Sequence, residues 1–349
     1  MFLLRAARSS DLEAIRALAE YLDSPNLPAD LDFLRERLAR SDRSFAHPGP
    51  PSVEREYQFV LTDPEDRVVG TCAILSKHGT SGMPHVFLRV CEESRSASSI
   101  NVSVQHRTLQ LGATEDGPTE IGALVLAPRM RGQSGWPGKL LSWGRFVYIG
   151  LHRDRFEPHL LAEMRASLTP DGRNRFWEAF GHHFTGLTYA EADRKSGTDK
   201  SFILDLFPDT PFYATLLDDE VSAELGRVHP EARPALKLLE RAGFGFIGEI
   251  DPFDAGPFYG APTRDVTPIR DLVHATLSHA EPASDAEPAI VATEEGGEFR
   301  AVAVRATLCE GALQVGSAAR DRLRLSPGSS VVCAKLPPSS AVAPTRPEE

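Results

Sequence analysis

Several groups of residues in this chain have types and spacings that could do chemistry. The first is Arg131-Gly132-Gln133-Ser134-Gly135, with Gly138 and the pair Leu140-Leu141 behind it. An apolar segment, 120–126, precedes it and a helix-like apolar pattern follows, so the stretch reads as a strand, a basic glycine loop and a helix. Unpaired backbone N–H groups in such a loop and the positive end of the helix both favour an anion, which makes a phosphate-bearing ligand the natural occupant. The loop lacks the GxxxxGKS or GxxxxGKT pattern of nucleotide triphosphate sites and the GxGxxG of dinucleotide folds. The second group centres on His229 in Gly226-Arg227-Val228-His229-Pro230. The proline holds the histidine backbone extended ahead of a helical pattern, and an ordinary imidazole pKa of about 6.5 suits proton transfer near neutrality. A packed, structural histidine at a helix entry is the alternative. The third is Asp251 and Asp254 in DPFDAGP, which could grip a guanidinium or simply cap their own turn.

No metal centre is expected. His182 and His183 are adjacent at a helix end and do not share a face. The four cysteines, Cys72, Cys91, Cys309 and Cys333, are too far apart for a metal knuckle or a redox pair, so four reduced thiols are expected.

The elements that must position these residues follow from periodicity. Residues 3–5 read as a short strand and LEAIRALAEYL as a helix capped by Ser9, Ser10 and Asp11; LDFLRERLARS reads as a second helix. Strands are expected at 57–62 and 68–75, joined by the turn Asp63-Pro64-Glu65-Asp66, then at 120–126 and 159–165, with helices at 140–151 and 174–183. Further on come helices near 218–226 and 233–242 and a strand near 245–250. Segments 175–181 and 235–244 each read as a helix closing on a left-handed glycine and leading through an aromatic into a strand. Their recurrence roughly 60 residues apart suggests two related units. After Pro268 the composition shifts, and FRAVAVRATL with a strand near 330–335 suggests a small β appendage ahead of a Pro- and Ser-rich tail that reads as disordered.

Composition narrows the classes. A chain of 349 residues with 41% hydrophobic content can bury a sizeable core, or two. No segment approaches the apolar length of a membrane span and the N-terminus lacks a signal-peptide core, so a cytoplasmic protein with no membrane partner is expected. The net charge of -11 argues against nucleic acid and is compatible with a cationic substrate.

The glycine loop resembles the coenzyme A pyrophosphate loop of the GCN5-related N-acetyltransferase superfamily. With HLLAEMRA at 159–166, NRFWEAFGHHF at 174–184, GRVHPEARPALKLLERAGF at 226–244, DPFDAGP at 251–257, the opening LLRAARSSDLEAIRALA and the later FRAVAVRATL, the chain resembles the arginine N-succinyltransferase family over nearly its whole length. It departs from that family where Trp136 and Pro137 are inserted in the loop and across 79–117 and 185–200, segments that would alter the acceptor if they shape its pocket.

The resemblance implies an α/β (α+β) fold of tandem acyltransferase-like units with mixed, largely antiparallel sheets and a small C-terminal β appendage. The expected division is 1–184 for the acyl-coenzyme A unit, 185–265 for a second unit bringing the catalytic histidine, 266–336 for the appendage and 337–349 for the tail. It implies direct transfer of succinyl from succinyl-CoA to the α-amino group of L-arginine, in arginine catabolism, with no metal. It also implies that backbone at Leu124, Val125 and Leu126 contacts the coenzyme beside Arg131, Gly132, Gly135 and Gly138, that His229 donates a proton, and that Glu120, at the head of its strand, assists as base. Asp251 and Asp254 are the candidates for the substrate guanidinium. A homodimer, or association with a related subunit, is expected. Two alternatives stand beside this reading: an acyltransferase for ornithine or another amino acid, and a non-catalytic sensor of acyl-coenzyme A or of an amino acid.

Overall fold

A computed structural model describes residues 1–22, 27–169, 172–197 and 199–338. Strand β1 (Leu3–Ala6) leads into α1 (Leu12–Leu22) and α2 (Leu31–Ala46). The two helices bury Ile15, Leu18, Leu34 and Leu38 against Val60, Ala73 and Val125, as their one-sided apolar spacing requires. Asp30 caps α2 by accepting from the Phe33 N–H at 2.8 Å. Strands β2 (Glu56–Thr62) and β3 (Val68–Leu75) form the expected hairpin, and Asp63 Oδ1 accepts from the N–H groups of Glu65 and Arg67 at 3.0 Å.

Next come β4 (His85–Ala97), β5 (Val102–Thr114), β6 (Thr119–Leu126), α3 (Pro137–Leu151) and β7 (His159–Glu163). The helix-rich stretch holds α4 (Arg175–Ala179), α5 (Gly181–Thr185), α6 (Tyr189–Ser196) and α7 (Ser201–Leu206), then β8 (Phe212–Tyr213), α8 (Asp219–Glu224), α9 (Arg233–Ala242), β9 (Gly245–Ile250), β10 (Pro257–Pro262) and α10 (Thr267–Arg270). The C-terminal part is β11 (Val273–Leu277), β12 (Glu287–Thr293), β13 (Arg300–Cys309), β14 (Ala312–Gln314), α11 (Ser317–Leu323) and β15 (Ser330–Lys335).

The strands join in one continuous sheet, ordered β12-β15-β11-β14-β13-β1-β2-β3-β6-β7-β10-β9-β4-β5-β8. Its pairs are antiparallel except β6 with β7 and β11 with β14, which is the mixed, largely antiparallel α/β class expected. An additional β12–β13 pairing closes the last five strands into a small barrel filled by Leu277, Val291, Val302 and Leu313, with Leu323 of α11 at one end. Helix α3 is apolar on nearly every side and is buried accordingly, with Trp143, Phe146 and Tyr148 in the largest core cluster.

Three local expectations change. The helix expected over 174–183 breaks at Phe180 (φ -129, ψ -75) and restarts as α5, so no strand follows Gly181. Gly181 has no left-handed backbone; a Cβ there would lie 2.4 Å from the Trp177 ring, so the glycine makes room for an indole rather than a turn. At the matching position Gly243 (φ +105) does cap α9 and leads into β9. The stretch 79–117, left without structure by periodicity, holds the long β4–β5 hairpin, paired from His85↔Thr114 to Ala97↔Val102. Its outer half is exposed on both faces and carries no apolar alternation to read. Strand β7 ends at Glu163, ahead of the expected 165. The tail beyond 338 lies outside the described residues.

Candidate active site

The site begins where two neighbouring strands part. Strands β6 and β7 run parallel and pair only at Thr119↔Leu160 and Glu120↔Leu161, after which β6 continues to Leu126 without β7 beside it. The opening is a cavity of about 400 Å³ walled by 120–126 on one side and 162–166 on the other. On its far flank β6 carries a bulge: Gly122 pairs with Ala73 and Val125 with Thr71, so Ala123 and Leu124 together face Cys72. Ala123 takes φ 49, a left-handed backbone that is costly for a residue with a Cβ and is held here by the surrounding sheet. Val125 is buried, and Leu124 and Leu126 pack against the main core, so what this segment offers a ligand is backbone.

The loop after β6 winds through a short 3-10 turn, Pro128–Met130, and two left-handed glycines, Gly132 (φ +74) and Gly135 (φ +84). Among the described residues the N–H groups of Gly132, Ser134 and Gly135 find no hydrogen-bond partner. Trp136 and Pro137, the inserted pair, begin the helix: Trp136 is the N-cap in a left-handed conformation and Pro137 occupies the first turn, where a missing N–H costs nothing. Gly138 lies in that first turn. The three glycines stand outside the cavity wall, while Arg131 is part of it. The half-exposed Arg131 guanidinium lies 3.9 Å from Glu231, which sets the loop beside the segment that carries His229. A loop of free amides, two cations, Arg129 and Arg131, and the start of a 15-residue helix is suited to phosphate.

His229 lines the cavity, with its backbone N–H bonded to Arg165 O at 2.9 Å. Its Nδ1 accepts from the Glu231 N–H at 3.2 Å, which leaves Nε2 to carry the proton of the neutral ring. Burial and then the Arg165 cation hold its pKa below the ordinary histidine value. Glu120 is in the same wall, almost fully buried, with Oε2 2.6 Å from His78 Nδ1. Burial pushes its pKa up, but the His78 ring, by charge and hydrogen bond, overrides this and brings it to about 2, an ionised and weakly basic carboxylate.

Asp251 and Asp254 cap their own turn, one of the two readings the sequence allowed, and they also reach the cavity. Asp251 Oδ1 accepts from the Phe253 and Asp254 N–H groups at 2.7 and 3.1 Å and Asp254 Oδ1 from the Gly256 N–H at 2.7 Å, yet both residues line the cavity. They do not stand alone. Glu163, at the end of β7, and Asp193, on α6, complete an acidic wall in which Lys200 is the cation. Burial, then Asp251, raises Asp254 to about 8. Burial raises Asp193 to about 7 and, with the charges of Asp251, Asp254 and Glu120, lifts Glu163 well above the carboxylate range. Such a wall is poised for a cation with several N–H donors.

Sequence reasoning missed Glu163, Asp193, Lys200, Arg165 and Arg145, all of which line the cavity. Glu163 and Arg165 sat inside HLLAEMRA, where an acid and a base closing an apolar strand were the available signal; Arg145 was hidden in an apolar helix pattern. Of the two segments that depart from the family, 185–200 supplies Tyr189, Asp193, Ser196, Gly197 and Lys200 to the cavity, whereas 79–117 supplies Met83. Among the described residues no cluster of side chains has metal-ligand geometry, and no helix is long and apolar enough to cross a membrane.

Comparison with known proteins gives a consistent placement. Residues 2–268 match the family model described as arginine N-succinyltransferase beta subunit, and residues 273–335, the closed barrel, match the model of that subunit's C-terminal domain. The chain is 34% identical to the arginine N-succinyltransferase subunit beta of Pseudomonas aeruginosa over 94% of its own length and 96% of the relative's. It is 32% identical to the arginine N-succinyltransferase of Photorhabdus laumondii, covering 97% and 99% of the two chains. Among solved structures, arginine/ornithine succinyltransferase subunit AI from Pseudomonas aeruginosa superimposes with a TM-score of 0.82 at 26% identity, covering 97% of this chain and 99% of that one. The chain therefore belongs to the arginine N-succinyltransferase beta subunit family.

Proposed function

We propose that the protein is an arginine N-succinyltransferase that carries the succinyl group of succinyl-CoA directly to the α-amino group of L-arginine. The observation that carries this reading is the cavity where β6 leaves β7: bulged backbone and a phosphate-suited loop on one side, an acidic wall on the other, and His229 at its edge. The thioester arm lies along 124–126, with its pyrophosphate at Arg131 and the loop amides. The guanidinium of the acceptor sits against Glu163, Asp193, Asp251 and Asp254, and its α-amine attacks the thioester carbonyl. The amide group turned out by the bulge steadies the oxyanion. His229 takes up a proton at Nδ1, displacing the Glu231 N–H, and the imidazolium gives its Nε2 proton to the departing thiolate; the proton shed by the amine restores the balance. Glu120, held ionised by His78, receives the amine proton through water or orients that water; its low basicity gives it the lesser share. In this division of labour residues 1–184 hold the donor and 185–265 bring His229 and part of the acidic wall.

A cytoplasmic setting, where arginine is degraded, belongs to the same reading. The relatives' names, which speak of a beta subunit and of subunit AI, are the motive for proposing a dimer or an association with a related chain. Ornithine is the second reading for the acceptor, favoured by the arginine/ornithine name of the structural relative and by the departure of 185–200 at the pocket. Incubating the protein with succinyl-CoA and an equimolar mixture of arginine, ornithine and lysine, followed by mass spectrometry, decides between them. Succinylated arginine in excess supports the proposal. Acylated ornithine in excess moves it to the second reading, and binding of the coenzyme with no thiol release would make the protein a sensor.

A further inference from the structure

One cavity residue has no part in the reaction as just described. Arg145 sits in α3 among Trp143, Phe146 and Val147, and is 2% exposed. Its Nε donates to Ser142 O at 3.2 Å and its Nη1 to Gly122 O at 3.4 Å, and its guanidinium carbon is 6.0 Å from the Phe146 ring centre. Among the described residues no carboxylate forms an ion pair with it. The Cys72 thiol beside it is pushed by burial up to about 12 and is neutral. Two carbonyls use only part of a guanidinium's five donors, and a neutral amide side chain would serve them as well. A buried cation with no counter-ion is strongly unfavourable unless an anion completes it.

The cavity reaches Arg145, and its partner Gly122 stands at the β6 bulge, two positions from Leu124, where the donor thioester is placed. The opposite wall is acidic and repels an anion. We infer that Arg145 binds the free carboxylate at the end of the donor's acyl chain, and so selects a dicarboxylic acyl group over a neutral one of the same length. The inference rests on the proposed acyltransferase function and adds the residue that reads the acyl group. The planar fork of the guanidinium matches a carboxylate in two parallel hydrogen bonds, a geometry that a lysine meets only as a point charge.

Butyryl-CoA, with a methyl in place of the terminal carboxylate, is the discriminating donor. kcat/KM is measured for succinyl-CoA and butyryl-CoA with the unmodified protein, Arg145→Met and Arg145→Lys, using L-arginine as acceptor. The unmodified protein should prefer succinyl-CoA, and Arg145→Met should reduce that preference by about 100-fold, mostly through loss on succinyl-CoA, because a site built around a charged partner discriminates by leaving it unpaired. Arg145→Lys should recover part of the preference. The acceptor also carries a carboxylate, so L-argininamide is run in parallel; the arginine-to-argininamide ratio should not move in Arg145→Met. A folded Arg145→Met protein with an unchanged donor preference overturns the inference, as does a change confined to the acceptor ratio. If Arg145→Met does not fold, an unmodified protein that uses both donors equally well overturns it, and a clear preference for succinyl-CoA that Arg145→Lys weakens supports it. Absence of any acyl transfer by the unmodified protein is a failure of the underlying function, visible before any variant is made, and removes the inference with it.

Discussion

His229 shows how one residue can be legible in sequence while its working state is not. The proline after it and its own backbone bond to Arg165 fix its place, but the tautomer comes from the Glu231 N–H, a contact that no spacing rule displays. If His229 protonates the leaving thiolate, His229→Ala should lower kcat by about 100-fold to 10,000-fold and leave the melting temperature and coenzyme affinity near those of the unmodified protein. A lower melting temperature with turnover per folded molecule preserved would make it a packing residue. Glu120→Gln should lose less, since a carboxylate with a pKa of about 2 is a poor base to begin with. At the loop, Arg131→Glu would place an anion beside the proposed pyrophosphate position, and calorimetry should then show coenzyme affinity weakened at least tenfold, about 1.4 kcal/mol, with arginine binding little changed. Unchanged coenzyme affinity would remove the loop from the donor site. Arg131, Gly132 and Gly135 stand out in the sequence as candidates because glycine loops have a local grammar. Glu163 and Asp193 could not, because what makes them a wall is that strand, helix and turn bring acids from distant positions to one cavity.

At the scale of elements, α1, α2, α3 and the β2–β3 hairpin followed their periodicity closely, and β6 and α9 fell where the pattern put them, whereas α6, α7, α10 and α11 were not foreseen. The failures have physical causes. The outer half of the β4–β5 hairpin is wet on both faces, so it has no alternation to betray it, and Gly181, which reads as a cap, answers instead to the bulk of Trp177. The bulge in β6 was equally silent, because Ala123 is an ordinary residue in an extraordinary conformation. A β-branched side chain tolerates that conformation poorly, so Ala123→Val should destabilise the protein by roughly 1–3 kcal/mol in denaturant titration. It should also cut kcat more than it changes KM for arginine, because in the proposed arrangement the bulge aims the amide at the thioester. Full stability in Ala123→Val would mean that the backbone there is free to relax and that the bulge is not a fixed part of the site.

For the molecule as a whole, the acidic wall makes stability depend on pH in an unusual direction. Asp254, Asp193, Asp251 and Glu163 all have folded pKa values above those of an unfolded chain. Between the ordinary carboxylate pKa near 4 and about 8 these four groups hold more protons in the folded protein than in the unfolded one; they outnumber His85 and His229, which are held below the ordinary histidine value and oppose them up to about pH 6.5, so the unfolding free energy falls as pH rises through that window. Chemical denaturation should give a less stable protein at pH 8 than at pH 5, with much of the loss restored by saturating arginine, whose charge replaces the protons. Asp254→Asn should flatten the slope. Stability that rises from pH 5 to pH 8 without ligand would show that the wall is already ionised. The net charge of -11 hinted at a cationic partner, but it is the concentration of acids in one cavity, not the total, that carries the consequence.

The first strand of the chain is held between its second and one of its last. β1 pairs with β2 at Leu3↔Thr62 and with β13 at Leu4↔Ala301, and Phe299 caps the core ring cluster 5.2 Å from Tyr148 of α3. On the ribosome, then, α3 and the inner flank of β1 emerge long before the residues that cover them. At roughly 5–20 residues per second the wait is on the order of 10 to 60 s. During that interval α3, whose residues are mostly buried in the finished fold, has an open face. Stalled nascent chains ending near residue 270 should be cut by a protease within α3, and chains that include residue 335 should resist. Equal resistance of the two would mean that the core closes without its last strands.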